Sequence, residues 1–272
     1  MEFTKQFLRA KNPCANGFRW FVRHVEDGVG YQQALDQLVA AGRVDDALWL
    51  LGQFGPTNAV LRADGLEAEA VVFAGTVQVR GGIDVDGVIH AGRSIHAGGG
   101  IRAGGAIVAG EDIRAGASIR GQGRLHCGGE LRAAWDVVCG GALEVGAGAF
   151  VGQDLTVHGD MACGKGLRVG GHLSGAGSLR AGQGIVVGGA IGGVMHLEAG
   201  WGIKAGESIR ANGAIKAGES LCAREDIRAG DGYGIFAGLN VQEPAWEDCA
   251  QVWAQRLPAG LRSGVWMGPS AI

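Results

Sequence analysis

Between Ile89 and Gly230 the chain repeats one short pattern: a large aliphatic residue, a variable and often charged one, a small one, and then a glycine-rich corner. Counting the 24 six-residue units that start at 89, 95, 101 and so on to 227, the first position is Ile, Leu, Val or Met in all but one, Ala149. The third position is Ala, Val, Cys or Gly throughout, and the fourth is Gly in 17 of the 24. Six is the period of neither a helix nor a flat strand. In an extended segment alternate side chains face opposite ways, so first and third positions point inward and the second points out. The chain must then turn, and glycine at the fourth position is expected to supply a positive φ there. Three short strands and three corners close a triangular coil of about eighteen residues, and stacked coils bond at the spacing of neighbouring strands. The pattern therefore predicts a mainly β fold, a triangular parallel β-solenoid (β-helix). About nine coils over residues 67–243, roughly 43 Å of stack, are expected. The phase slips only where "DGYG" (231 to 234) adds two residues.

The flanks follow other periods. Residues 1–66 read as a helical N-terminal capping unit built from "TKQFLRA", "GFRWFVRHV", "YQQALDQLVAAG" and "RVDDALWLLGQFG". Leu35, Leu38 and Val39 share one helical face, as do Ala47, Leu48 and Leu51, and Gly42 and Gly55 stand where helix C-caps belong. Residues 244–272 open with Pro244 and hold two apolar runs around "LPAG", which predicts a C-terminal cap folded as a hairpin. Both solenoid ends are thus expected to be sealed.

Composition narrows the class. Fifty-three glycines with only five prolines and 47% apolar residues fit neither collagen nor a disordered chain. The net charge is −3, and from 89 to 230 the 14 Lys and Arg nearly balance the 12 Asp and Glu, so neither a nucleic-acid groove nor a polybasic membrane patch is expected. No membrane span and no export signal are read, and a cytoplasmic setting is expected. Six scattered cysteines suit reduced thiols.

The spacing of the histidines and cysteines supports no catalytic or metal chemistry. His90, His96 and His126 fall at outward second positions, and His158, His172 and His196 at corners, with no metal spacing. Cys127, Cys139 and Cys163 take inward third positions, where a buried neutral thiol is inert, and Cys222 points outward. No catalytic residue, metal or cofactor is expected. Partner-binding candidates come from the outward positions instead. Residues 133 to 152 carry only Asp136 and Glu144 as charges, with Val138 and Phe150 at outward positions and Trp135 near a corner, which marks an interface. Every eighteenth residue on one face reads His96, Arg114, Arg132, Phe150, Arg168, Val186, Lys204, a basic ladder fitted to an acidic partner. Tyr233 and Phe236 at the insertion are a second aromatic candidate.

The units "IVAGEDIRAG", "IKAGESIRANGAIKAGES" and "LCAREDIRAG" resemble hexapeptide-repeat β-solenoids, and in their loop-free run they are similar to the bactofilin polymer-forming family. That resemblance implies a structural scaffold. Hexapeptide-type acyltransferases, a further alternative, set a histidine base beside a cofactor groove framed by a long loop, which this repeat lacks. Their usual order of small before large inward residues is also reversed here, which leaves both hands of winding open. The helical preface "WF…ALDQLVAAGRVDDALWLL" resembles those of bacterial toxin and immunity loci, which implies a toxin domain as partner. The leading expectation is a rigid, non-catalytic solenoid that docks a protein partner, with self-association as the alternative.

Overall fold

The computed structural model describes residues 2–3, 5–26 and 28–269. Four helices lie where the periodicity places them: α1 (Lys5–Arg9), α2 (Ala15–His24), α3 (Tyr31–Ala40) and α4 (Val44–Phe54). Cys14 caps α2, its sulfur accepting from the Gly17 N–H at 3.2 Å. Gly42 (φ 69°) and Gly55 (φ 74°) close α3 and α4 in the left-handed region that a side chain disfavours. The helices bury Phe21, Ala34, Leu35, Ala47, Leu50 and Leu51 against one another.

The solenoid starts at Val60, ahead of the compositional boundary at 66, because "VLRA" and "LEA" already alternate apolar and polar. Successive strands fall on three flat parallel sheets of twelve, ten and eleven strands. The first face runs from Val60–Ala63 to Val265–Gly268, the second from Leu66–Ala68 to Ile227–Arg228, and the third from Val71–Phe73 to Leu261–Ser263. The stack has about twelve turns rather than nine, since both flanks contribute strands. Its interior is one continuous core in which Ile89, Ile95, Ile107, Ile113 and Ile119 are fully buried. Burying each such side chain stabilises by on the order of 2 kcal/mol. Equivalent residues stack in exact eighteen-residue register, Ile101 on Ile119 and Ile113 on Leu131.

The corner glycines act differently from expectation. None of the 17 fourth-position glycines has a positive φ. A Cβ on Gly98, Gly104, Gly116 or Gly152 would instead collide with the carbonyl oxygen of the residue one coil below. Glycine is selected there by the close approach of stacked backbones. Corners that carry a side chain, such as Gln122 and Ala134, keep the same bond to the coil below, to Ala103 O at 3.2 Å and Ala115 O at 3.1 Å. The constraint is therefore local to each corner.

The ends also differ from expectation. The C-terminal segment forms no hairpin: Gln251–Trp253 pairs parallel to Leu221–Ala223, and Val265–Gly268 pairs parallel to Gln251–Trp253, with a register shift at Val252/Trp253. The segment is a last, irregular turn of the stack, and the final strand leaves Trp266 and Met267 exposed. At the other end the helices pack against the outward side of Val71–Phe73, burying Val72 and Ala74, rather than across the core. Gln32 of α3 stands in for a missing neighbour strand, donating to Val72 O (3.1 Å) and accepting from the Ala74 N–H (2.9 Å). That seals one edge of three. Val60–Ala63 and Leu66–Ala68 keep unpaired outer edges, and Leu61 and Leu66 are only half-buried.

Candidate functional site

Outward residues of the first face form a single column, because parallel pairing holds them in register: Arg132 on Phe150, Phe150 on Arg168, Arg168 on Val186, Val186 on Lys204, Lys204 on Cys222, Cys222 on Trp253. The basic ladder read from the sequence is thus a physical column, but its two halves differ. In the first half Arg114 meets Asp112 at 2.8 Å and Arg132 meets Glu130 at 3.3 Å, and in the adjoining corner Arg93 meets Glu111 at 3.0 Å. These carboxylates belong to the corner that leads into each strand, so repeat geometry delivers the partner. In the second half the same corner offers Gly166, Gly184 and Gly202, and among the described residues no carboxylate lies within ion-pair range of Lys165, Arg168 or Lys204.

Apolar side chains fill the space beside those unpaired cations. Phe150 lies under the Arg132 guanidinium (4.9 Å) and lines a groove of about 390 Å³ with Arg168, Val186 and Trp201. A second groove of about 580 Å³ shares Val186 and continues over Lys204, Cys222 and Trp253 to Asp248 and Cys249. Together they make one trough along the C-terminal half of the face. Trp201 stands 51% exposed on its wall, and nothing in the hexad pattern singled it out, because a tryptophan at a fifth position breaks no periodicity. Cys222, expected to face solvent, is buried in the trough floor beneath the segment that carries Cys249.

The other candidates do not converge. Trp135 sits on the corner leaving the first face and lines a groove on the second face with Arg102 and Arg120, towards the N-terminal coils. Val138 is also on the second face, between Arg120 and Thr156. Trp135, Val138 and Phe150 are close in sequence but are distributed around the triangle. Tyr233 packs edge-on against His196 at 5.4 Å on the third face, and Phe236 is half-buried beside it in the irregular last turns.

The remaining chemistry is subdued. Burial pushes the thiols up, Cys127 to about 11 and Cys163 to about 12, with Cys139 moved the same way. Burial also pulls His90 down to about 4, helped by the positive charge of Arg124 and the neighbouring His126. His172 and His196 each accept a backbone N–H through Nδ1, from Ala190 (3.0 Å) and Ala214 (3.1 Å), so these corner histidines brace adjacent coils. Among the described residues no three His, Cys, Asp or Glu gather in a way that suits a metal ion. No described helix is long and apolar enough to cross a membrane.

Comparison with known families matches residues 1–54 to the YdhT N-terminal domain, which covers the four helices and stops before the first strand of the solenoid, Val60–Ala63. No curated protein and no solved structure matches the chain.

Proposed function

We propose that the chain is a rigid, non-catalytic scaffold that binds another protein through the side of its solenoid, a toxin domain being one such partner. The observation that carries this reading is the trough on the first face, where Phe150, Val186 and Trp201 stand beside Arg168 and Lys204, which among the described residues have no carboxylate within ion-pair distance. Contiguous apolar surface with a charged rim is the composition of protein interfaces, and a stack of in-register strands holds it without reorganisation on binding. Co-purification of the full chain from its native cell tests it. A stoichiometric protein partner is expected, released by Val186→Asp, and recovery of none overturns the reading.

A second reading, self-association, is favoured by the ends. Unpaired strand edges add further strands readily. The edge coil at the helical end carries Glu67 and Glu69, and the last turn carries Arg262, while Asp64 is already paired with Arg80 and Arg256 with Asp226. Opposite charge at opposite ends suits head-to-tail stacking, a heterologous contact that does not close. Sedimentation over a concentration series separates the two: a single discrete species supports side-on binding, and open-ended growth abolished by Glu67→Lys with Glu69→Lys supports stacking.

A further inference from the structure

The trough has a repeat of its own, and that repeat constrains what fits. Apolar Phe150 and Val186 alternate with cationic Arg168 and Lys204, one residue per coil. Residues two coils apart stand about 9.6 Å apart, and a segment in the extended polyproline II conformation advances about 3.1 Å per residue with three residues per turn, so every third side chain faces the same way about 9.3 Å apart. A segment in that conformation laid along the solenoid axis therefore presents a side chain to an apolar position at every third residue, with a cation between each pair. We propose that the trough takes an extended acidic segment of a partner protein, with an apolar side chain at every third residue and a carboxylate beside it. This rests on the side-on binding proposed above and names the chemistry of the partner at that site.

Three observations support it. Along the column Arg168 and Lys204 have no carboxylate in ion-pair range among the described residues, while Arg114 and Arg132 already have one. An incoming carboxylate thus meets an unsatisfied charge in the second half and a satisfied one in the first. The apolar walls, Trp201 on one side and Trp253 at the far end, exclude water from such a pair and strengthen it. Nucleic acid is disfavoured because its phosphates bring no apolar complement for Phe150, Val186 and Trp201, which alternate with or flank the cations in these grooves.

The experiment uses the full chain and a labelled twelve-residue peptide of four Leu-Glu-Ser repeats, read by fluorescence anisotropy at low and at physiological salt. Its comparators replace Glu by Lys or Leu by Ser, and a single-stranded DNA of twelve nucleotides is run beside them. The Leu-Glu-Ser peptide is expected to bind at least tenfold tighter than either peptide comparator and tighter than the DNA, and to weaken as salt rises. Arg168→Glu with Lys204→Glu is expected to reverse the preference in favour of the Lys peptide, which an unfolded variant would not do. Equal binding of acidic and basic peptides, tighter binding of the DNA, or indifference to the double charge reversal overturns the inference. The wider reading fails separately: a native partner retained by the double charge reversal but lost with Val186→Asp leaves side-on binding standing and removes the acidic segment.

Discussion

The helical unit and the solenoid bury their apolar residues by different rules, and the difference decides how each responds to change. In the helices a few irregularly placed residues, Leu35 and Leu50 among them, fill one small cluster. In the solenoid the same inward pair recurs in every strand, so each coil contacts only its neighbours and the core extends without a centre. The family match ends with the helices, at residue 54, which agrees with two separately built parts. They meet at a small seam: Val72 and Ala74 under α3 and α4, with Gln32 bonded to the strand edge.

The largest predicted effect breaks the solenoid at its middle. Ile113 is fully buried, stacked between Ile95 and Leu131. Ile113→Asp places an uncompensated carboxylate there and is expected to cost at least about 4 kcal/mol, unfolding the repeat. Far-UV circular dichroism checks it, with Leu35→Asp as the counterpart that removes the helical signal and leaves the strand signal. A strand signal unchanged by Ile113→Asp would contradict the inward assignment of first positions.

Next comes the corner. Gly152→Ala forces a Cβ onto the Ala134 carbonyl and is expected to cost about 1–3 kcal/mol by overpacking. Gly192 has open space around the same added atom and no positive φ, so Gly192→Ala is expected to be neutral or to stabilise by up to about 1 kcal/mol. Denaturant midpoints of the two variants separate close approach from conformational freedom as the reason for glycine. At the seam, Gln32→Leu leaves the Ala74 N–H and Val72 O unpartnered and is expected to cost about 1–2 kcal/mol. Faster amide exchange at residues 71–74, with mid-solenoid protection unchanged, is the signature.

Acid sharpens the contrast further. Burial holds His90 neutral down to about pH 4, while the unfolded chain takes up that proton near its ordinary value of 6.5. Between those values the unfolded state binds more protons, so this contribution is complete above pH 6.5 and is lost as pH falls towards 4. His90→Gln is expected to flatten the stability of the solenoid across that window, measured by urea midpoints at pH 4.5 and 7. A pH dependence identical to the parent's would remove His90 as its source.

How much of this the sequence disclosed depended on whether a feature was periodic. Helix spans, inward positions and the column Arg114, Arg132, Phe150, Arg168, Val186 follow directly from periods of 3.6 and six. The reason for corner glycine did not, since close approach and positive φ select the same residue. Nor did the grouping of Trp135, Val138 and Phe150, because residues a few positions apart at a corner lie on different faces. Trp201 was invisible for the opposite reason: it joins Phe150 and Arg168 only when coils two and three turns apart are stacked. The last turn was misread because "LPAG" interrupts the hexad, although the chain on either side of it still pairs in parallel.

The smallest predicted effect bears most directly on the trough. Arg114→Gln removes a cation that has Asp112 at 2.8 Å and Glu130 at 3.7 Å, and it leaves two carboxylates facing each other across one coil. Exposed pairs of this kind contribute about 0.2–1 kcal/mol, so a loss within that range is expected. Lys204→Gln removes a cation that has no such partner and lies one coil from Val186 and Cys222, where the charge contributes nothing to folding by pairing. It is expected to leave stability unchanged within about 0.5 kcal/mol. Chemical denaturation of both variants at 20 mM and at 500 mM salt, chosen to bracket strong and weak screening, compares them. The Arg114 cost shrinks with salt and the Lys204 value stays near zero. If the two variants instead lose equal stability, the second half of the column is paired in solution as the first is, and its cations are no longer available to an incoming acidic chain. If Lys204→Gln is silent for folding while it weakens peptide binding, that charge serves recognition.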